Sequence, residues 1–191
     1  MEFEVIAFAT PADWRAWLSA HHADTPGVWL RYAKKASGIT SVTYGEAVFE
    51  ALCFGWIDGQ AARDTDDPEH YSRQRFTPRK ARSKWSKVNV GRVEALQASG
   101  RMAPPGLAEV ERAQADGRWA AAYDPPSTAT VPEDLQTALD ASPRAAAFFS
   151  TLTGSNRYAI LYRIQTVKRA ETRARKIAEY VAMLERGEKL G

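Results

Sequence analysis

The clearest pattern in the chain is a segment at residues 44–54 that is apolar on nearly every side. Thr43 and Glu46 stand three positions apart at its start, which is the spacing of a capping box and predicts a helix that begins here. Only Glu46 and Glu50 form a polar strip along this helix. A helix with so little polar surface is expected in the middle of a fold. We therefore expect Leu52 to be almost fully buried.

Four segments rich in strand-forming residues predict a small sheet. Two of them come early in the chain, at residues 3–8 and 28–34. The other two, at residues 56–63 and 71–77, are joined by the acidic turn 64–69, and this arrangement predicts a long hairpin.

The rest of the chain has helical periodicity. One helix is predicted to begin at Ser83 or Trp85, and the linker 124–130 precedes a stretch that is helical to the end. We therefore predict an α+β protein, in which a small, mainly antiparallel sheet is packed by the central apolar helix and followed by a helical C-terminal part. Residues 1–123 would form the α+β core, and residues 131–191 the helical part packed on it in one compact unit.

Composition narrows the class of protein. With 45% apolar and 26% charged residues, the 191-residue chain is ordinary for a soluble globular protein. No apolar run approaches the ~18–20 residues of a membrane span, and the first residues lack the basic segment of a secretory signal. We therefore expect a cytoplasmic protein without membrane insertion. Cys53 is the only cysteine, which excludes an internal disulfide, and three histidines leave few further metal ligands, so we expect no metal and no cofactor.

Five motifs stand out from this pattern: EAVFEALCFGWIDG at 46–59, FTPRK at 76–80, SKWSKVN at 83–89, GRWAAAY at 117–123 and KRAETR at 168–173. The motifs resemble those of the YdeI/OmpD-associated family, and the resemblance spans nearly the whole chain. It implies a bacteriocin-protection or envelope-stress protein with no assigned enzymatic activity. The family name refers to an outer-membrane porin, but this sequence predicts no means of residing in a membrane, so any link to the porin would be indirect.

Asp58 directly follows the apolar helix and needs a positive partner, because a carboxylate among apolar residues is costly to desolvate. Arg79 comes at the end of the second hairpin strand, and its guanidinium can hold a carboxylate by two hydrogen bonds. We therefore predict that the Asp58 and Arg79 side chains meet, directly or through Asn89 or a water. Lys34, Lys35 and Arg82 are alternative cations for Asp58.

The same pair could be a purely structural ion pair or the wall of a pocket. Asn89 lies four residues after Trp85 on the same apolar helix face, so its amide needs a partner, which could be a protein group or a ligand. Ser83 and Ser86 could cap this helix or help to present its N–H groups to an anion. We predict a pocket that binds a small anionic molecule through Lys35, Trp56, Asp58, Arg79, Ser83, Trp85, Ser86 and Asn89.

Charge supports an alternative function. Residues 71–93 contain eight basic residues and no acid, with aromatic residues interleaved, and a second basic cluster lies at 168–176. Basic groups among aromatic rings can bind single-stranded nucleic acid through its phosphates and bases. The competing explanation is local compensation by five acids in or before the hairpin turn: Asp58, Asp64, Asp66, Asp67 and Glu69.

Cys53 is the one candidate nucleophile, but it lies among apolar residues in the middle of the predicted helix, and no histidine is near it in sequence. Burial suppresses the reactive thiolate, so we expect this cysteine to be part of the core. The sequence shows no nucleophile–base pair and no metal-ligand set. We therefore expect binding rather than catalysis, with an enzyme left as an open alternative.

Overall fold

The computed structural model describes residues 3–190 of the chain. Those residues form a four-stranded sheet and eight α-helices, which confirms the predicted α+β class and the helical C-terminal part. The chain divides into two compact units. The first comprises the residues up to Lys84 together with Asn89–Ala120, and the second comprises Trp85–Val88 together with the residues from Ala121 onwards.

The strands and the first two helices lie in the first unit, and the last four helices lie in the second. In chain order the elements are β1 (Glu4–Ala7), α1 (Pro11–His21), β2 (Val28–Ala33), a 3-10 turn (Lys35–Ser37), α2 (Tyr44–Cys53), β3 (Trp56–Arg63), β4 (Tyr71–Pro78), α3 (Lys87–Ala98), α4 (Pro104–Ala115), α5 (Glu133–Asp140), α6 (Pro143–Thr151), α7 (Gly154–Gln165) and α8 (Ala170–Glu185).

The sheet has the strand order β1-β2-β4-β3, in which β1 and β2 are parallel and the other neighbours are antiparallel. In the β3–β4 register, Trp56 lies opposite Pro78 and Asp58 lies opposite Phe76. Residues that pair in this way share one face of the sheet. Trp14 of α1 packs against this face, with its ring centroid 6.3 Å from that of Trp56 and 5.7 Å from that of Phe76. We refer to it as the helix-covered face.

Helix α2 follows its sequence pattern closely. Thr43 and Glu46 form the predicted capping box, in which each side chain accepts a hydrogen bond from the other residue's N–H. Leu52 and Cys53 are 1% and 0% exposed, which confirms their predicted burial. The helix packs against α1, β3 and α4, so its apolar surface is covered within the first unit.

Glu50 departs from its predicted place on a polar strip, because the structure buries it. Arg15 donates to one of its carboxylate oxygens at 2.8 Å, and Arg101 donates to the other. A buried carboxylate is tolerated when both oxygens are satisfied by charged donors. Glu50 therefore ties α2 to α1 and to the segment that precedes α4.

Helix α4 approaches the C-terminal end of α2 very closely, and Gly106 makes this possible. A Cβ atom at this position would lie 2.2 Å from the carbonyl oxygen of Cys53, well inside van der Waals contact. Pro104 occupies the first position of this helix, where a missing N–H costs nothing.

The helix predicted to start at Ser83 or Trp85 begins instead at Lys87. The residues before it are extended and pair with a distant segment. The N–H of Tyr123 donates to the carbonyl of Trp85 at 3.0 Å, and the N–H of Lys87 donates to the carbonyl of Tyr123 at 2.9 Å. A partner so far along the chain leaves no trace in the local sequence pattern, which explains the error.

In the second unit, α5 to α8 pack around an apolar core of their own. Leu135, Ile160, Ile164 and Leu184 are fully or almost fully buried within it. The linker before these helices is fixed at Asp124, which accepts hydrogen bonds from other residues of the same unit.

Candidate functional site

Asp58 and Arg79 form no direct ion pair in the described residues, and a contact through Asn89 or a water stays a prediction. The Asp58 carboxylate accepts a hydrogen bond of 2.7 Å from the Oη of Tyr44, and within residues 3–190 it has no ion pair. Asp58 lies opposite Phe76 on the helix-covered face, whereas Arg79 lines a cavity together with Arg75, which belongs to the other face. Arg79 follows the last residue of β4, so the strand pairing fixes the face of Asp58 but not that of the Arg79 side chain.

Arg79 is held firmly at the end of β4. Its N–H donates to the carbonyl of Gly55 at 2.9 Å, and its Nη1 donates to the carbonyl of Lys84 at 3.1 Å. The residue is only 6% exposed. The Lys84 carbonyl therefore helps to stabilise the guanidinium that the sequence pattern had assigned to Asp58.

Three other residues of the predicted site have identifiable places in the first unit. Lys35 is exposed in the 3-10 turn. Trp56 is buried, and its Nε1 donates to the carbonyl of His22 at 3.1 Å. Ser83 accepts a hydrogen bond of 2.9 Å at its Oγ from the N–H of Lys80, which closes the turn after β4 rather than capping a helix.

The remaining three predicted residues fall on both sides of the unit boundary. Trp85 and Ser86 belong to the second unit, and Asn89 belongs to the first. Asn89 is buried, and its Oδ1 accepts a hydrogen bond of 2.9 Å from Nη1 of Arg92, so the partner that its amide required is present. A ligand-binding role for these residues stays a prediction.

A cavity of about 470 Å³ lies at the end of β4, and its charged lining residues are all cations. Within residues 3–190, no carboxylate lines it. The Nε of Arg75 is buried and has no hydrogen-bond partner in this part of the chain. The volume is within the range of small-molecule sites. We name this cavity the cationic pocket, and it is lined by Phe3, Pro26, Arg75, Thr77, Pro78, Arg79 and Lys80.

Gly27 allows the chain to close one wall of the cationic pocket. Its φ angle is +146°, and a Cβ atom there would lie 2.7 Å from both the carbonyl oxygen of Phe76 and the Cγ2 of Thr77. No other residue fits without displacing β4. The neighbouring Pro26 is thereby brought to the pocket wall.

Beside the pocket, the sheet face opposite α1 carries arginines over aromatic rings. The guanidinium of Arg73 lies 5.3 Å from the ring centroid of Trp29, and that of Arg31 lies 4.6 Å from that of Tyr71. All four side chains are half-buried. We name these four residues the arginine face. This face adjoins the cationic pocket, because Arg75 of the pocket lies opposite Trp29 in the β2–β4 register.

The acids of the hairpin turn neutralise only part of this surface. Asp64 is 2% exposed, and Nε and Nη2 of Arg31 donate to its two oxygens at 2.8 and 2.5 Å. The Arg31 guanidinium lowers the pKa of Asp64 to about 2. Asp67 contacts His70 instead. The acids of the turn therefore neutralise Arg31, which lies before the basic segment 71–93. Within the described residues Arg73, which belongs to that segment, has no carboxylate partner.

Tyr32 is a buried polar residue that the sequence analysis did not single out. It is 8% exposed, and its hydroxyl has no hydrogen-bond partner within residues 3–190. Burial raises its pKa, and the nearby Tyr44 and Asp58 add to this effect. Buried and half-buried residues alternate along β2, and this alternation places Tyr32 on the helix-covered face.

Metal-ligating side chains and the Cys53 thiol are the groups of the described residues to consider for chemistry. None of these residues form a cluster of three or more histidine, cysteine, aspartate or glutamate side chains that could hold a metal ion. Burial raises the pKa of the Cys53 thiol, which disfavours the nucleophilic thiolate. Among the helices described, none is long and apolar enough to cross a membrane.

The second unit contains a groove of about 600 Å³ between α5 and α8. Small apolar side chains such as Ala138, Ala174 and Ala178 form most of its lining. Asp134 and Arg173 stand at this groove, and they are bound to each other with Nε 2.6 Å from Oδ2. The Arg173 guanidinium lowers the pKa of Asp134. Because Asp134 neutralises Arg173 and the other charged residue of the lining is Glu185, the groove provides no net positive charge by which to recognise an anion.

Two family models match the chain. Residues 128–187 match the family described as Bacteriocin-protection, YdeI or OmpD-Associated. Residues 6–109 match a domain of unknown function, DUF8412. No curated protein and no solved structure matches the chain. The chain therefore belongs to the family of this unknown-function domain, and its residues 128–187 are similar to the bacteriocin-protection, YdeI or OmpD-associated family, which supports the resemblance seen in the sequence.

The match to the bacteriocin-protection family covers residues 128–187, whereas the resemblance in the sequence indicated nearly the whole chain. Of the five motifs, only 168–173 lies within the matched residues 128–187. The motifs at 46–59, 76–80 and 83–89 lie within the domain of unknown function. The arginine face and all of the cationic pocket except one residue lie there too, so the description of the bacteriocin-protection family does not extend to them.

Proposed function

We propose that this protein, whose residues 128–187 match the bacteriocin-protection, YdeI or OmpD-associated family, binds a small anionic ligand in the cationic pocket. The observation that carries the proposal is that Arg75, Arg79 and Lys80 line one cavity, with no carboxylate among the described lining residues. We place this binding in the cytoplasm, in a bacteriocin-protection or envelope-stress context. The ligand class is the one expected from the sequence, but Asp58 has no part in the site.

The three cations differ in how they are held, and the difference suits a binding site. Arg79 is buried and anchored to backbone carbonyls, so its position is fixed before a ligand arrives. Arg75 is half-buried, with a buried Nε that an acceptor could satisfy. Lys80 is exposed and can reach a ligand at the rim. Preorganised charges of this kind lose little entropy when an anion binds.

The apolar part of the lining supports the same function. Phe3, Pro26 and Pro78 present carbon surface to the cavity. Carbon surface lowers the local dielectric constant, which strengthens the attraction between the guanidinium groups and an anion. The ligand is therefore expected to carry a carboxylate or phosphate together with a small apolar or planar part.

Thermal unfolding in the presence of anions tests this proposal. Phosphate, sulfate, citrate and benzoate are added at ionic strength matched with sodium chloride, and the unfolding temperature is recorded. A bound anion at a hundred times its dissociation constant stabilises the folded chain by about 2.7 kcal/mol, which corresponds to a rise of about 5–10 °C for a protein of this size.

Two charge-removing variants locate the binding. We expect Lys80→Gln and Arg75→Gln each to reduce the thermal shift caused by the best anion, and to abolish it in combination. Arg82→Gln is the matched control, because Arg82 is an exposed cation two residues from Lys80 that does not line the pocket. The proposal is wrong if no anion raises the unfolding temperature, or if Arg82→Gln reduces the shift as much as Lys80→Gln does.

A further inference from the structure

The arginine face has chemistry that the cationic pocket does not use. Arg73 and Arg31 each lie over an aromatic ring, and the four side chains alternate along the two central strands of the sheet. We infer that the arginine face binds single-stranded nucleic acid, with the bases stacked on the arginine and aromatic planes and the phosphates held by the guanidinium groups.

The spacing of the face fits an extended polymer better than a compact ligand. Arg73 and Tyr71 lie two positions apart on β4, and Trp29 and Arg31 lie two positions apart on β2. Side chains on one face of a strand repeat about every 6.6–6.8 Å, which is close to the length of one nucleotide in an extended strand. The face therefore offers successive stacking positions in two parallel rows.

Charge favours a polyanion that also carries flat rings. Arg73 has no carboxylate partner within residues 3–190, and Arg75 of the adjoining cationic pocket has none either. Arg31 is neutralised by Asp64, but its guanidinium plane still lies over Tyr71. A purely acidic peptide would gain from the charges and nothing from the rings, whereas a nucleic acid gains from both.

The second basic cluster, at residues 168–176, is a weaker candidate. Arg173 is bound to Asp134, Arg175 lies 3.7 Å from Glu179, and Lys176 lies over the ring of Tyr180. These side chains are largely paired within the second unit. Both basic segments are candidate nucleic-acid contacts in the sequence, whereas the side-chain contacts favour the segment on the sheet.

Fluorescence anisotropy of a labelled 12-nucleotide oligothymidylate at about 50 mM salt tests this inference. We expect binding that weakens as salt rises, because neutralised phosphates release their counterions. Arg73→Gln should weaken binding about tenfold and reduce the slope of log affinity against log salt by about 0.7. Trp29→Val should weaken binding about tenfold through lost stacking and leave that slope unchanged.

The controls separate recognition from charge alone. Arg175→Gln removes the same charge from an exposed position on α8 and should change affinity less than twofold. If Trp29→Val unfolds, as judged by circular dichroism, Arg73→Lys replaces it, since this variant keeps the charge and the salt slope but loses the flat stacking surface. The inference fails if the oligonucleotide does not bind, if a 12-residue polyglutamate binds equally well, if the stacking variant binds normally, or if Arg175→Gln weakens binding as much as Arg73→Gln does.

The proposals for the cationic pocket and for the arginine face can be refuted independently of each other. Neither Arg73 nor Trp29 lines the cationic pocket. The anion-induced thermal shift should therefore persist in Arg73→Gln, whether or not the oligonucleotide binds.

Discussion

Replacing Asp64 with asparagine should destabilise the protein at neutral pH, and the loss should disappear in acid. The Asp64 carboxylate is buried against Arg31, and it also accepts hydrogen bonds from the N–H groups of Asp66 and Asp67 at 3.1 and 2.9 Å. Asparagine keeps the shape of the side chain and one acceptor oxygen, but it loses the charge that binds Arg31.

The magnitude follows from the pKa of Asp64, which falls from its ordinary 3.8 to about 2 in the folded chain, chiefly because of Arg31. One pH unit between the folded and unfolded pKa corresponds to about 1.4 kcal/mol, so the charged carboxylate contributes about 2 kcal/mol to the free energy of unfolding. Because the folded pKa is the lower one, this contribution is complete above about pH 5 and is lost as the pH falls through 3.8 towards 2.

Urea-induced unfolding, followed by circular dichroism at pH 7, 5, 3 and 2, measures the effect. The difference in unfolding free energy between the wild type and Asp64→Asn should be about 2 kcal/mol at pH 7 and near zero at pH 2. Asp66→Asn is the control, because Asp66 is largely exposed and its contact with Arg31 is longer, at 3.7 Å. This substitution should lower the free energy of unfolding by less than about 0.5 kcal/mol. A difference that stays constant with pH would refute the assignment of the stability to this ion pair.

Three further predictions concern the packing around α2. Leu52→Ala should lower the free energy of unfolding by about 2–5 kcal/mol in urea titrations, because a fully buried side chain leaves a cavity; a loss below about 1 kcal/mol would contradict its central position. Gly106→Ala should lower the unfolding temperature, because its Cβ would meet the carbonyl of Cys53 at 2.2 Å, and an unchanged temperature would show that α4 can move away freely. Tyr44→Phe should cost about 1 kcal/mol by removing the hydrogen bond to Asp58, and equal stability from pH 4 to 8 in both proteins would argue against that bond.

The elements with strong local signals were predictable from the sequence. The capping box and the all-round apolar pattern of α2 gave both its start and its burial, since these properties depend on residues within the helix. The start of α3 was wrong because the residues before it pair with Tyr123, which no local pattern can reveal. Glu50 was misplaced for the same reason, because its two partners come from other parts of the chain.

The anionic ligand class of the candidate site stays a prediction, and the structure brings only part of the predicted residues together. Arg79 was chosen from the sequence as the partner of Asp58, a choice that depended on the β3–β4 register. A one-residue difference in register moves every side chain to the other face, and the seven-residue turn and the bulge between Asp58 and Ala61 leave the register undetermined by the sequence. Phe3 and Pro26 were missed because they reach the cationic pocket from separate segments.

The interleaved order of the two units has a consequence for synthesis on the ribosome. The chain enters the second unit at Trp85–Val88, returns to the first for Asn89–Ala120, and only then completes the second. The carbonyl of Trp85 and the N–H of Lys87 therefore cannot form their hydrogen bonds with Tyr123 until that residue has been translated. At 5–20 residues per second this takes roughly 2–7 s. The first unit ends at Ala120, so all of its residues have been translated before this backbone pairing of the second unit can form.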